Sequence, residues 1–518
     1  MGLVTPVAPV PIGNLGRVHF TGIGGVGMSG VARIMLARGV VVSGSDSVAS
    51  QQLDQLAALG ADVHVGHSAD YLGDAATLVV STAIRPDNPE LTEASRRGLR
   101  VMHRAAALAS VMLGMRGITV AGTHGKTTAT AMLTTVLRWC GADPSYVIGG
   151  ILAETGLGAH DGGGDAFIAE ADESDGSFVM LSPSAAVVTC IEADHLDNYA
   201  DLAEIEAYFG AFARKISAGG LLVTCADDPG ARSLAAASGN LPILLRSYGV
   251  SDGADYQVTD VTSRGMATLL TVTGGPRAAA GLDDGIRLEV AVPGRHNALN
   301  AAAAFGTAVE LGFPPDQVAA GLAGYRGARR RMELKGEADG VRVLDSYAHH
   351  PTELAADLAA ARDVASGGRV IAVFQPHLFS RTRIFAAEFG AALGRADEAL
   401  VLDVYAARED PEPGVTGMLV AAAVPGGRAQ FLPDRADVPA AVAGIATEPG
   451  YVIAYTVGRL QIENLLAEYL RRKGAAASLR DFHDRLLSYG TTPLAIVAPE
   501  LLADLDRPAD AVRAAANY

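Results

Sequence analysis

Twice in this chain an apolar run of strand type breaks at a glycine-rich turn and passes straight into a helical pattern. The first is Arg17–Gly22 running into Gly22-Ile23-Gly24-Gly25-Val26-Gly27; the second is Gly117–Ala121 running into Gly122-Thr123-His124-Gly125-Lys126-Thr127-Thr128. Such a junction needs a parallel sheet behind it and turns backbone N–H groups outward at a helix start. The surrounding pattern agrees. Runs at Val40–Ser43, Leu78–Ser81, Ala166–Ala169, Ala185–Ile191 and Leu221–Thr224 read as buried parallel strands, with helical stretches such as Met28–Arg38 and Thr128–Cys140 between them. From about Asp255 to Val292 the text reads instead as consecutive strands with glycine-rich turns. A second α/β series starts at Val341 and continues at Arg369–Phe374 and Ala399–Val404. The expected class is α/β.

Length and charge narrow the choices. At about 150 residues per domain, 518 residues allow three or four domains; the pattern places boundaries near 112 and 327. The chain has 41 basic and 57 acidic side chains, a net charge of −16, which argues against nucleic acid or an anionic membrane as the main partner. Three cysteines with no CxxC spacing fit a reducing compartment. The N-terminal stretch lacks a basic region and contains three prolines, so no signal peptide is expected, and no uninterrupted apolar run of membrane length is found. The expectation is a soluble, cytoplasmic protein, monomer or homodimer.

The first loop satisfies GxGxxG between strand and helix, and Asp46 after the second strand is placed to bind a ribose hydroxyl. The pattern leaves open whether the diphosphate belongs to NAD or to another nucleotide. The second loop departs from the usual P-loop, because Val120 stands where a glycine is expected five residues before Gly125. Its chemistry survives, with N–H groups at a helix start, Lys126 for the β- and γ-phosphates and Thr127 for Mg²⁺. Glu170-Ala171-Asp172-Glu173-Ser174-Asp175 and Glu192-Ala193-Asp194-His195-Leu196-Asp197 then end neighbouring strands, where carboxylates suit a Mg²⁺-ATP site. Asn297 and Asn300 share a helix face and either read a base edge or cap the helix. Arg329-Arg330-Arg331, Asp345-Ser346-Tyr347-Ala348-His349-His350-Pro351 and Gln375-Pro376-His377 with Arg381 bring cations and histidines toward strand ends, suited to a carboxylate or a transferring phosphoryl group.

Nine ordered segments carry a resemblance: HFTGIGGVGMSG, STAIRPDNPE, AGTHGKTT, AEADESDGSF, IEADHLDNY, GRHNALNAAAA, AHHPTE, FQPHLFSRT and DVYAARE. Over roughly residues 14–449 the chain resembles the Mur ligases. The resemblance implies three domains: a Rossmann-like UDP-binding domain (1–111), a central P-loop ATPase-like domain (112–326) and a C-terminal dinucleotide-fold-like domain (327–449). A mostly helical tail follows at 450–518. It implies an ATP-dependent carbon–nitrogen ligase joining L-alanine to UDP-N-acetylmuramate through an acyl phosphate. Gly22, Gly24, Gly25, Val26, Gly27, Met28 and Asp46 would hold the UDP substrate. Gly122, Thr123, His124, Gly125, Lys126, Thr127, Thr128, Asn297 and Asn300 would hold ATP, and Thr127, Glu170 and His195 would hold Mg²⁺. The catalytic set implied is Lys126, Glu170, His195, Arg330, His349, His350 and Arg381, with His377 on the same C-terminal motifs.

Two departures stand out. Ser346 replaces the family's usual second aspartate. After Pro449-Gly450, YVIAYT still serves as a buried strand, but the family's GAGD-type loop is replaced by two amphipathic stretches, around Ile462–Leu470 and Ser478–Gly490. This tail is similar to the C-terminus of a bacterial family of unknown function, domain of unknown function 885. It carries a single histidine, His483, and no HExxH, so it holds no peptidase site. Alternatives to the alanine ligase are a relative adding another amino acid or a recycled peptide, and a weakly active UDP-sugar- and ATP-binding protein.

Overall fold

The computed structural model describes residues 3–275, 284–338, 340–407, 409–445 and 452–455, and the fold divides into two compact units that meet between Arg329 and Arg330. The two helices expected in the tail lie outside the described residues.

The first unit holds two sheets. The chain begins with β1 (Val18–Thr21), α1 (Val26–Ala37), β2 (Val42–Asp46), α2 (Gln51–Ala58), β3 (Asp62–Val65), β4 (Thr77–Val80), α3 (Pro89–Arg97), β5 (Arg100–His103) and α4 (Arg104–Met112). These strands form an all-parallel sheet in the order β3-β2-β1-β4-β5. The order reverses at β1, so the first glycine loop opens at the switch point beside β4, where such sheets bind ligands. Strand β2 starts two residues later than the pattern predicts. Gly39 takes a φ of 79°, letting Val40 N–H bond back to Met35 O and close the helix, and Val41 is left 57% exposed before the strand begins.

The second sheet follows: β6 (Arg116–Ala121), α5 (Lys126–Trp139), β7 (Ser145–Val147), β8 (Ala159–His160), β9 (Ala166–Glu170), β10 (Ala185–Val188), α6 (Leu202–Ala213), β11 (Leu221–Cys225), α7 (Pro229–Ala237), β12 (Leu244–Gly249), β13 (Tyr256–Arg264), β14 (Ala267–Gly274), β15 (Ile286–Val290), α8 (Arg295–Glu310) and α9 (Pro315–Ala323). Its order is β15-β14-β13-β12-β11-β10-β6-β9-β7-β8. The described part of the segment from about Asp255 to Val292 is a run of strands, antiparallel through β13, β14 and β15. Strand β6 lies between β9 and β10, again at a switch point, with the second glycine loop at its end. Strand β10 is shorter than the sequence predicts, ending at Val188. Thr123 N–H donates to Cys190 O and Thr189 Oγ1 to Ala121 O, so the residues beyond Val188 serve the glycine loop instead of the ladder.

The first unit's packing is continuous. Alanine-rich α4 is buried from Ala105 to Met112 and packs against α1 and the Ser177–Met180 turn, in one core with Phe178, Phe209 and Phe212. A second core lies under α5, α8 and α9. Alanine suits a buried helix face because it lets neighbouring elements approach closely without loss of side-chain entropy.

The second unit holds β16 (Glu333–Ala338), β17 (Val341–Asp345), α10 (Pro351–Ala365), β18 (Val370–Phe374), α11 (Phe379–Leu393), β19 (Glu398–Leu402), α12 (Gly417–Ala423), β20 (Ala429–Leu432), α13 (Val438–Ile445) and β21 (Val452–Tyr455). The order is β16-β17-β21-β18-β19-β20, parallel except for β16. Within the YVIAYT segment, Val452–Tyr455 is thus a strand, and an interior one. Among the described residues no helix is long and apolar enough to cross a membrane.

Candidate functional site

In the first loop Gly22 has a φ of 79°, and Gly22 and Ile23 both donate to Ser45 O, which ties the turn to the end of β2. At Gly24 a side chain would collide with Leu53 and with Asp46 Oδ2. Asp46 Oδ2 accepts the Gly24 N–H at 2.9 Å, so the acid expected to serve a ribose also clamps the loop. Gly25 precedes α1, Val26 is 42% exposed at its start, and the Met28 side chain is buried in the core. A side chain on Gly27 would meet Arg104 Nη1 at 2.7 Å. Beneath the loop lies Glu90, fully buried. Its carboxylate accepts from Thr21 Oγ1 at 2.6 Å, Ser45 Oγ at 2.8 Å and Ser68 N–H at 3.3 Å, with His19 Nε2 at 3.3 Å. Burial opposes its charge, but the hydrogen bonds from His19, Thr21 and Ser45 outweigh burial and hold its pKa below the usual value.

The second loop is packed on all sides. Gly122 (φ 127°) leaves no space for a side chain against Thr189, and Gly125 (φ 80°) faces Asn300 Oδ1. Thr123 Oγ1 accepts Glu192 N–H at 2.8 Å, and His124 Nε2 lies 3.3 Å from Glu192 Oε2. Lys126 Nζ donates to Gly122 O at 2.6 Å, Thr123 O at 3.1 Å and Glu173 Oε1 at 2.8 Å. Burial disfavours this ammonium, yet the carboxylates of Glu173, Asp172 and Glu170 outweigh it and raise its pKa, so it is charged. Thr127 Oγ1 donates to Glu170 Oε1 at 3.1 Å, while Glu170 Oε2 takes the Gly149 N–H at 2.8 Å. Thr128 is buried. His195, at a φ of 52°, puts Nε2 3.8 Å from Glu173 Oε1 and 3.6 Å from Asp194 Oδ2. Asn297 and Asn300 lie inside α8, behind its Gly294 cap; helix capping is not their role, and Asn300 Nδ2 donates to Asn297 Oδ1 at 3.2 Å.

The hard oxygens of Thr127 and Glu170 suit Mg²⁺, and Glu173 Oε2 close by is a buried oxygen with no hydrogen-bond partner. Together with Lys126 and the α5 N-terminus, these groups can hold a nucleotide triphosphate with its metal.

In the second unit Arg330 has a φ of 61°, stacks its guanidinium over Tyr347 at 4.8 Å and lies 3.8 Å from Asp345. His349 Nδ1 pairs with Tyr347 O at 2.9 Å, and His350 caps α10 by accepting the Thr352 N–H. Arg381, 6% exposed, places Nη1 3.3 Å from His377 Nδ1, and the His377 ring lies 6.0 Å from that of His349. Arg330, His349, His377 and Arg381 thus line the strand-end side of β17 and β18. Ser346 donates to Asp357 and accepts the Ala348 N–H, turning the chain toward the histidines.

Family models match along the chain in order. The catalytic domain of the Mur ligase family matches residues 17–116, the Mur ligase middle domain 120–308, and the Mur ligase glutamate ligase domain 330–456. The chain belongs to the Mur ligase family. Membership makes it an ATP-dependent enzyme that forms amide bonds. It is 53% identical to the UDP-N-acetylmuramate–L-alanine ligase of Thermobifida fusca over 88% of this chain and 96% of that protein, and 53% identical to that of Kineococcus radiotolerans over 88% and 98%. The crystal structure of the UDP-N-acetylmuramate-alanine ligase of Thermotoga maritima superposes with a TM-score of 0.71 at 27% identity, covering 85% of this chain and 95% of that one. A further model, of a bacterial protein of unknown function (domain of unknown function 885), matches residues 428–501, overlapping the last Mur ligase segment.

Within this Mur ligase, sequence reasoning missed Glu90, Arg104 and the specific part of Glu173. Glu90 and Glu173 lie inside segments that carry the resemblance, and a buried acid among hydroxyl residues was the available signal. Arg104 had none: it opens an alanine-rich, apolar run, and only the fold sets it against Gly27 and Asp172.

Proposed function

We propose that the chain joins L-alanine to UDP-N-acetylmuramate, with ATP converted to ADP and phosphate, as a cytoplasmic step of peptidoglycan precursor synthesis. The observation that carries this is the Lys126, Thr127 and Glu170 cluster at the start of α5, in one unit with the first glycine loop, which is suited to a diphosphate. The muramyl carboxylate attacks the γ-phosphorus in line, and ADP leaves as the acyl phosphate forms. Lys126 and the loop N–H groups stabilise the charge spreading over the phosphoryl oxygens. Mg²⁺, held by Thr127 and Glu170 with His195 for a second ion, would neutralise the same charge. The amine of L-alanine then attacks the acyl carbon and phosphate departs. Asn297 and Asn300 serve the adenine. In the second unit Arg330 and Arg381 are the guanidinium groups assigned to the amino-acid carboxylate, and His349 reaches the Arg381 side through the ring of His377.

Phosphate release is the test, measured with UDP-N-acetylmuramate, ATP and each amino acid in turn. Release that depends on L-alanine is expected. Release driven by another amino acid or by a muramyl peptide, or nucleotide binding without turnover, would overturn the assignment.

A further inference from the structure

A line of charges joins the two glycine loops, and the reaction as described gives it no task. Arg104 opens α4, the helix that carries the chain from the first sheet to the second. Its Nη1 lies over the first turn of α1 at Gly27, and its Nη2 donates to Asp172 Oδ2 at 2.8 Å. Asp172 precedes Glu173, whose Oε1 receives Lys126 Nζ. The same short segment is tied a second time at Asp175, which accepts the Thr82 hydroxyl at 3.4 Å and lies 3.2 Å from His103 Nε2. Thr82 follows β4 at the first sheet's switch point, and His103 ends β5 beside it. The acids that set Lys126 are therefore held from the first loop's surroundings.

We propose that Arg104 is a positioning residue that couples the two loops. An anion at the N-terminus of α1 binds one arm of the guanidinium while Asp172 keeps the other, which fixes the 172–175 segment and, through Glu173, the Lys126 ammonium. Only a planar fork serves two anions in this way; an ammonium on a flexible stem keeps the charge but not the geometry. The proposal rests on the reading that the UDP substrate occupies the first loop.

Titration calorimetry of the full chain with the non-hydrolysable analogue AMP-PNP and Mg²⁺, alone and with saturating UDP-N-acetylmuramate, gives the coupling as a ratio of two Kd values. The wild type is expected to bind the analogue about fivefold or more tightly with the UDP substrate present. Arg104→Lys and Asp172→Asn are each expected to bring that ratio to within about twofold of unity, and the double variant to fall no further than either alone. Asp172→Asn carries the test should the Arg104 variant fail to fold. A variant ratio equal to the wild type's, or a wild-type ratio of one, overturns the coupling and leaves the function standing. A wild type that binds no UDP-N-acetylmuramate overturns the functional reading, and this proposal with it.

Discussion

Lys126 is surrounded by oxygens, and its nearest anion, Glu173, is almost wholly buried. Lys126→Ala should therefore have two effects. ATP-dependent phosphate release should fall at least about a thousandfold, and stability should drop by about 3 kcal/mol because a buried carboxylate loses its cation; Glu173→Gln in the same chain should recover part of the stability and none of the activity. Kinetics and urea denaturation read the two separately. Asp46→Ala should raise KM for the UDP substrate about tenfold, the cost of one charged hydrogen bond, and leave KM for ATP nearly unchanged. Asp46→Asn, which still offers an oxygen to Gly24, should lose less. Glu90 gives a pH prediction. Its folded pKa lies below the unfolded value, so its contribution is present above the unfolded carboxylate range and is lost as pH falls through the folded value. Denaturation between pH 7 and pH 3 should show the wild type losing stability more steeply than Glu90→Ala. Thr127 and Lys126 stand out in the sequence because a phosphate loop would need them at fixed spacing. The Lys126–Glu173 and Arg104–Asp172 pairs join residues 47 and 68 apart, and no local pattern carries that information.

At the scale of elements, parallel strands buried on both faces announce themselves as apolar runs, and β1, β6, β9, β11 and β18 could be read directly. Their ends could not. The text of Ala185–Ile191 is mostly apolar and ends on an isoleucine, yet the ladder stops at Val188 because the loop beside it needs Thr189 and Cys190. The strand order was equally hidden, and β21 shows why it matters. It pairs on both sides, with β17 and β18. Ile453→Pro removes a backbone donor from a strand with no free edge and should destabilise the second unit by about 3 kcal/mol or more. Circular dichroism melting with limited proteolysis should show that unit opening first.

Across the whole molecule, an acidic balance is compatible with polyphosphate chemistry, because such sites can use backbone N–H groups and a few placed cations in place of a basic surface. The described residues form three sheets, and the last one depends on β21, which lies just past the point where the family pattern departs. The glutamate ligase domain model reaches residue 456, whereas the second family model reaches 501. A chain ending after Thr456 should keep L-alanine-dependent phosphate release, and one ending after Pro449 should lose it; activity assays on the two truncations decide. The interior place of β21 also bears on biosynthesis. Its partners leave the ribosome well before it does, so their ladder edges must wait unpaired until the chain has been translated past Tyr455. The first unit can mature while synthesis continues, but the second can close only once Tyr455 has emerged. A pause or a premature stop in that interval would leave a finished nucleotide-binding half beside an open, aggregation-prone sheet.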